Sequence, residues 1–156
     1  MVDGVRDRGG RADDPDLADP EATRLLHVPQ PFDPAFGARL LDRWMARFDD
    51  PIGMYAAVER DGGEVAGFVG YVARELDWGP ELELGWLLRR RFHGRGYATE
   101  AARALRPRVP GRVISLIRVE NDASVNVARK LGMDVEREVD FAGYATYVFV
   151  SPRPSP

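Results

Sequence analysis

The stretch from Glu81 to Leu105 constrains this chain more than any other. Glu81-Leu82-Glu83-Leu84-Gly85-Trp86-Leu87-Leu88 alternates at period two, the pattern of a half-buried strand. Arg91-Phe92-His93-Gly94-Arg95-Gly96-Tyr97-Ala98 follows at once, and Ala98, Ala101, Ala102 and Leu105 then recur at helical spacing. A strand, a glycine-bearing loop and a helix start in immediate succession bring unpaired backbone N–H groups and a positive dipole end to one point. Such a point suits a phosphate-bearing ligand. Arg89, Arg90, Arg91, His93 and Arg95 gather on the same loop, in a chain whose net charge is −3. The loop is not a Walker loop, because no Lys-Ser/Thr follows a second glycine at the required spacing. It is a poor dinucleotide fingerprint as well, since Thr99 stands where the third glycine belongs.

The flanking sequence predicts a mixed sheet. Asp33-Pro34 places an N-cap residue before a first-turn proline, and Leu40, Leu41, Trp44, Met45 and Phe48 then follow at helical spacing. A helix is expected over 34–48, with Trp44 and Met45 facing the core in preference to a substrate pocket. Residues 22–29 read as a short edge strand ended by Pro29. Strands are expected over 54–60 and 64–76 about an Asp61-Gly62-Gly63 turn, with Gly67 and Gly70 marking a bulge or a close backbone approach. A third strand follows Asp77-Trp78-Gly79-Pro80. Pro107 cuts the helix after the glycine loop short. Arg112–Val119 is β-branched and nearly all apolar, as a strand buried on both faces would be. A helix separates it from strand 81–90, so the two are predicted to run parallel. Asn121 or Asp122 caps a further helix that stops at Gly132, and strands over 135–139 and 144–150 close the chain. The predicted class is α+β: one domain over 21–151, three layers α/β/α, and a mixed, mostly antiparallel sheet with a parallel splayed pair at 81–90 and 112–119. Residues 1–20 and 152–156 read as polar tails, the first of them disordered.

Composition excludes several functions. The chain has 156 residues, 44% hydrophobic and 30% charged, and no cysteine. Disulfides and thiolate metal sites are therefore excluded, and two histidines make a structural zinc site an unsupported reading. No apolar run nears the roughly 20 residues of a membrane span, and the polar N-terminus is not a signal peptide, which predicts a cytoplasmic protein. Basic residues cluster on one loop and not across a face, so neither nucleic acid nor membrane is an expected partner. No Gly-x-Ser-x-Gly elbow is present.

Arg91-x-x-Gly94-x-Gly96-x-Ala98 resembles the acetyl-CoA pyrophosphate loop of the GNAT acetyltransferase superfamily. The wider text, ELELGW…HGRGYATEAA…VENDASVNVARKLGM, resembles the branch that includes the Rim-type enzymes, which acetylate N-terminal amines of ribosomal proteins. The similarity runs from about Met54 to Val150 and is densest over 81–133. It implies an N-acetyltransferase in which a free amine attacks the acetyl thioester directly within a ternary complex. The pantetheine arm would lie between strands 81–90 and 112–119, with a bulge at Gly85 freeing backbone groups. The Leu87-Leu88 backbone would hold the pantetheine and the thioester carbonyl. Arg91, His93, Gly94, Arg95, Gly96, Tyr97 and Ala98 would bind the pyrophosphate. No metal is implied.

Two roles stay open at this level. Glu83 matches the family's Glu-Leu-Gly position and is either the general base or a solvent-facing alternation partner of Glu81. Many relatives protonate the departing thiolate with a tyrosine. Here the matching segment offers Asn121, Ser124 and Asn126, so Ser124 is the candidate donor, with Asn121 and Asn126 as cofactor contacts. Either Ser124 or Asn121 could instead be a helix cap. Residues 1–20 cannot supply the family's first strand, which predicts an abbreviated acceptor half and an exposed edge that invites homodimerisation. The acceptor is left as a primary amine, either a protein N-terminus or a small amine. The alternative is a catalytically degenerate module of the same fold that only binds CoA.

Overall fold

The computed structural model describes residues 2–4, 20–30, 32–47 and 49–152. Seven strands form one sheet in the order β1-β2-β3-β4-β5-β7-β6. They are β1 (Val2–Gly4), β2 (Met54–Val58), β3 (Val65–Leu76), β4 (Gly79–Leu88), β5 (Ile114–Arg118), β6 (Asp134–Phe141) and β7 (Tyr144–Val150). All neighbours are antiparallel except β4 and β5. The helices are α1 (Pro20–Thr23), α2 (Pro34–Ala46), α3 (Tyr97–Leu105) and α4 (Asp122–Lys130). Among the described residues no helix is long and apolar enough to cross a membrane.

Local chemistry accounts for most of these boundaries. Asp33 caps α2 by accepting the Ala35 N–H at 2.9 Å. Pro107 ends α3, and the chain continues as a 3-10 turn over Arg106–Arg108. All five residues of β5 are buried, as a strand with helices on one side and apolar side chains on the other must be. The β6–β7 hairpin turns on Ala142 and Gly143, both at positive φ, the backbone that a tight two-residue hairpin requires. Gly67 and Gly70 mark close approach. A Cβ on Gly70 would lie 2.0 Å from the Gly53 carbonyl oxygen, and one on Gly67 would lie 2.2 Å from that of Leu87. The β2–β3 register shifts beside Gly67, where Val58 pairs with Val65 and Ala57 with Gly67 so that Ala66 is the extra residue, and a second shift lies in β6 between Val135 and Arg137.

Two cores flank the sheet on the α3–α4 side. Ala101, Ala102 and Leu105 of α3 pack on Tyr71, Leu84 and Val113, and Val125 and Ala128 of α4 pack on Ile117 and Phe149. The alanine stripe lets α3 lie close to the sheet. On the other side Ile114, Leu116 and Val148 are covered in part by Trp78, Val139 and Phe141, and Trp44 of α2 sits 5.8 Å from the Phe68 ring.

The fold departs from the sequence reading in four places. Residues 22–29 form no strand: α1 gives way to a turn and a run of bends that Arg118 ties down by donating to the Arg24 carbonyl at 3.0 Å. Gly85 causes no bulge, because β3 and β4 pair in unbroken register from Gly67–Leu88 to Leu76–Gly79. Met45 is exposed, so only Trp44 of that pair faces inward. Most of the tail expected to be disordered lies outside the described residues, but Val2–Gly4 is a strand. It pairs with Tyr55–Ala57, so the β2 edge thought to be bare for dimerisation is occupied there.

Candidate functional site

The parallel pair β4–β5 meets at one register position, Glu83 with Ile114, and then opens. Each strand is held on its far side, β4 by β3 and β5 by β7, so the opening is imposed by the sheet and not by local strain. Just past the junction Ser115 Oγ donates to the Leu84 carbonyl at 2.7 Å, a side chain spanning the first step of the gap. The Arg89 N–H reaches the Ala66 carbonyl at 2.9 Å, which fixes the alternation along β4. The backbone groups of Gly85 and Leu87 therefore face β3, and those of Trp86 and Leu88 face the gap. This corrects the expectation for Leu87, whose backbone is turned away and whose residue only lines the cavity. His93 Nε2 lies 2.9 Å from the Leu88 carbonyl, which can only accept, so that nitrogen carries the proton. Among the gap-facing groups the Leu88 carbonyl is thus engaged.

At the open end of β4 the chain makes a 3-10 turn over Arg90–Phe92 and enters α3. Gly96 is the N-cap, at φ 82°, with no side-chain cap; its carbonyl accepts the Glu100 N–H. A residue with a Cβ resists this left-handed backbone. The N–H groups of Tyr97, Ala98 and Thr99 have no partner within the helix. A Cβ on Gly94 or Gly96 would meet nothing within 4 Å, so the space over these amides is open.

The charges on this loop are arranged differently from the sequence expectation. Arg89 and Arg91 both reach Glu64, while Arg95 at 3.3 Å and the Tyr97 hydroxyl at 2.6 Å share Glu59. The Glu59 bond raises the Tyr97 phenol above its ordinary value. Both glutamates come from the β2–β3 hairpin and were missed in the sequence. Buried Phe92 lies beneath, with Tyr97 edge-on at 5.4 Å and the Arg91 and Arg95 guanidinium groups at 5.4 and 5.5 Å.

A cavity of about 440 Å³ fills the splay and continues beneath α2. Asn121 and Ser124 form its α4 wall. Asn121 Oδ1 accepts the Ser124 N–H at 3.1 Å and so caps α4, and Ser124 Oγ accepts from Trp86 Nε1 at 3.3 Å across the gap. The two thus meet at the splay, while Asn126 sits exposed on α4 and is not part of the cavity wall. Glu83 is only 8% exposed, so it is not the solvent-facing partner of Glu81. It accepts from Arg74 Nε at 2.6 Å and lines the cavity.

His27, which the sequence alone reads as a surface or edge histidine, lines the same cavity. The Thr146 hydroxyl donates to the Tyr144 carbonyl at 2.8 Å and accepts from His27 Nε2 at 2.9 Å, which sets the tautomer. Burial first, then the charges of Arg118 and Arg74, lower the His27 pKa to about 4. No local pattern pointed to this residue, because its hydrogen-bond partner Thr146 lies 119 positions away.

An open helix N-terminus beside a splayed parallel pair is a binding cleft of defined shape. The chain matches the model of the acetyltransferase (GNAT) domain over residues 10–134, and it belongs to that family of N-acetyltransferases. Among curated proteins it is 33% identical over 93 residues to the uncharacterized protein YkkB of Bacillus subtilis, a match covering 56% of this chain and 54% of that protein. The chain thus spans about half the length of that relative. The putative GnaT-family acetyltransferase from Bordetella pertussis superposes with a TM-score of 0.72 at 25% identity, covering 88% of each chain. An acetyltransferase from Agrobacterium tumefaciens superposes at 0.73 with 24% identity, over 97% of this chain and 90% of that one, and shows the fold alone.

Proposed function

We propose that this protein transfers an acetyl group from acetyl-CoA to an amine by direct attack of that amine on the thioester. The observation that carries the reading is the junction of two backbone features: the open amides at the start of α3 and the gap-facing edge of Trp86 and Leu88. The cosubstrate supplies a pyrophosphate and an acetyl thioester, and the residues present fit both. Amides of Gly94 to Ala98 receive the pyrophosphate at the positive end of α3. Arg95 lies within this run of amides, and it shares Glu59 with Tyr97. The Leu88 N–H, on the strand edge inside the gap, is the donor placed to stabilise charge on the thioester oxygen, the kind of contact worth several kcal/mol in acyl transfer.

Glu83 stands where the two strands part, at the inner end of the cavity, and takes the amine proton. Ser124, whose oxygen already faces Trp86 across the gap, returns a proton to the departing sulfur. Asn121 acts by holding the first turn of α4, and through it Ser124, in place. The resemblance to Rim-type enzymes makes a protein N-terminus one acceptor to test beside small amines.

The test measures CoA affinity by calorimetry and thiol release from acetyl-CoA with a panel of amines. Glu83→Gln is expected to lower kcat roughly a hundredfold or more while CoA still binds. Thiol release unaffected by this substitution would remove Glu83 from the reaction. Tight CoA binding with no thiol release for any amine would make the protein a binding module of the same fold.

A further inference from the structure

The part of the cavity beneath α2 is charged in a way that the cosubstrate does not explain. Its charged walls are Arg43 of α2 and Arg47 just after that helix, both exposed at its rim, with Arg74 of β3 and buried Glu83 of β4, a cationic excess in a chain whose overall charge is −3. Acidic groups balance the arginines of the glycine loop, but among the described residues lining this cavity Glu83 is the one carboxylate beside three arginines, and it bonds only Arg74. Arg74 spends only Nε on Glu83, and among the described residues neither its two Nη groups nor the second Glu83 oxygen has a partner. The pair therefore presents a carboxylate oxygen and a guanidinium edge side by side. An ion pair with one half-exposed member adds little to stability, so fold maintenance gives weak reason for placing it there.

Resting on the acetyl-transfer reading, we propose that the acceptor is a small zwitterion, an α-amino acid or close analogue, whose carboxylate is held by Arg74 while its amine meets Glu83. Adjacent charges of opposite sign on the protein match adjacent charges of opposite sign on the ligand, separated by two or three bonds. The planar guanidinium can take a carboxylate through two parallel N–H bonds. Arg43 and Arg47 raise the local positive potential, which attracts an anionic group and favours the neutral form of an amine beside it. His27 adds no further positive charge, since its ring is neutral above about pH 4. The remaining walls include Leu40, Phe36 and Trp44, so the side chain accepted there is apolar. A polyamine or an aminoglycoside would add positive charge to a site that already has it in excess. A peptide N-terminus would bring its amine without the carboxylate.

Leucine, leucinamide and 3-methylbutylamine share one side chain and differ in the carboxylate. The expected kcat/KM for leucine exceeds that of the other two by roughly tenfold to a hundredfold, the range of a charge-assisted hydrogen-bonded contact. In Arg74→Met the ratio falls toward one, carried by KM, and Arg74→Lys keeps part of it. Melting temperatures of both variants confirm that they fold, and leucine binding to the CoA-loaded protein is measured by calorimetry in parallel. Equal rates for all three amines, or a ratio that persists in Arg74→Met, would overturn the inference while leaving acetyl transfer standing. Absence of thiol release with every amine would instead fail the acetyl-transfer reading. In that event the calorimetry decides this inference by itself: leucine binding lost in Arg74→Met supports it, and no leucine binding in the wild type overturns it.

Discussion

The two halves of this cleft, which the proposed function assigns to the acyl donor and to the acceptor, are built from different materials. The donor half is backbone: amides at the start of α3 and the free edge of β4, placed by strand pairing and by two left-handed glycines, Gly94 and Gly96. The acceptor half is side chains, Arg74 meeting Glu83 across neighbouring strands and His27 meeting Thr146 from a distant part of the chain. A backbone site depends on the fold and tolerates much variation in sequence. A side-chain site depends on identities and can be rewritten one residue at a time. One family can thus keep a single acyl donor while changing what it acetylates.

The sharpest way to break this contrast is to remove a side chain from the donor half. Phe92 is 2% exposed, and it supports Arg91, Arg95 and Tyr97 from below. Phe92→Ala is expected to cost about 3–5 kcal/mol in a denaturant melt, the usual loss for a buried aromatic ring. CoA affinity should fall with it even where the variant is folded. Unchanged affinity in folded Phe92→Ala would mean that the amides hold the ligand without any support from the loop's side chains.

This contrast also explains what could be read in advance. Period-two alternation, the Asp33-Pro34 cap, the stop at Pro107 and the helix between β4 and β5 are local signals, and each named its element correctly. The glycine loop was legible for the same reason, since a strand, a glycine turn and a helix start are contiguous. Glu59, Glu64 and His27 were not legible. Each acts on a residue that only the folded sheet brings near, and none sits in a pattern of its own. The β1 strand was missed because three residues of ordinary composition owe their conformation to the β2 edge they join. The backbone orientation of Leu87 depends on which residues of β3 and β4 pair, and a one-residue slip in that register would reverse it.

A smaller effect tests the acceptor half through pH. His27 is held neutral, with its pKa lowered to about 4 from an ordinary 6.5. In the unfolded chain the ring binds a proton as pH falls through about 6.5, and in the folded chain only near 4. The unfolded state then binds more protons, so stability declines between those values and this contribution is complete below them. His27→Phe should flatten that part of a stability–pH curve. A curve of the same slope in the variant would mean that other groups govern acid unfolding.

The smallest expected effect is the most informative about the donor half. Glu59 accepts from both Arg95 and Tyr97, at the mouth of the amide site. An anion there opposes the binding of a pyrophosphate, yet the same carboxylate orders the loop's side chains. Exposed pairs of this kind are worth at most about 1 kcal/mol, so neither influence can dominate by much. If the amides and the helix dipole carry the binding, Glu59→Gln should tighten CoA roughly twofold to fivefold at low salt, by freeing Arg95 toward the ligand. The gain should fade as salt screens the exposed charges. A loss of affinity would reverse the assignment: Arg95 and Tyr97 would then need Glu59 to hold them in a productive position, and the donor half would be a side-chain site after all.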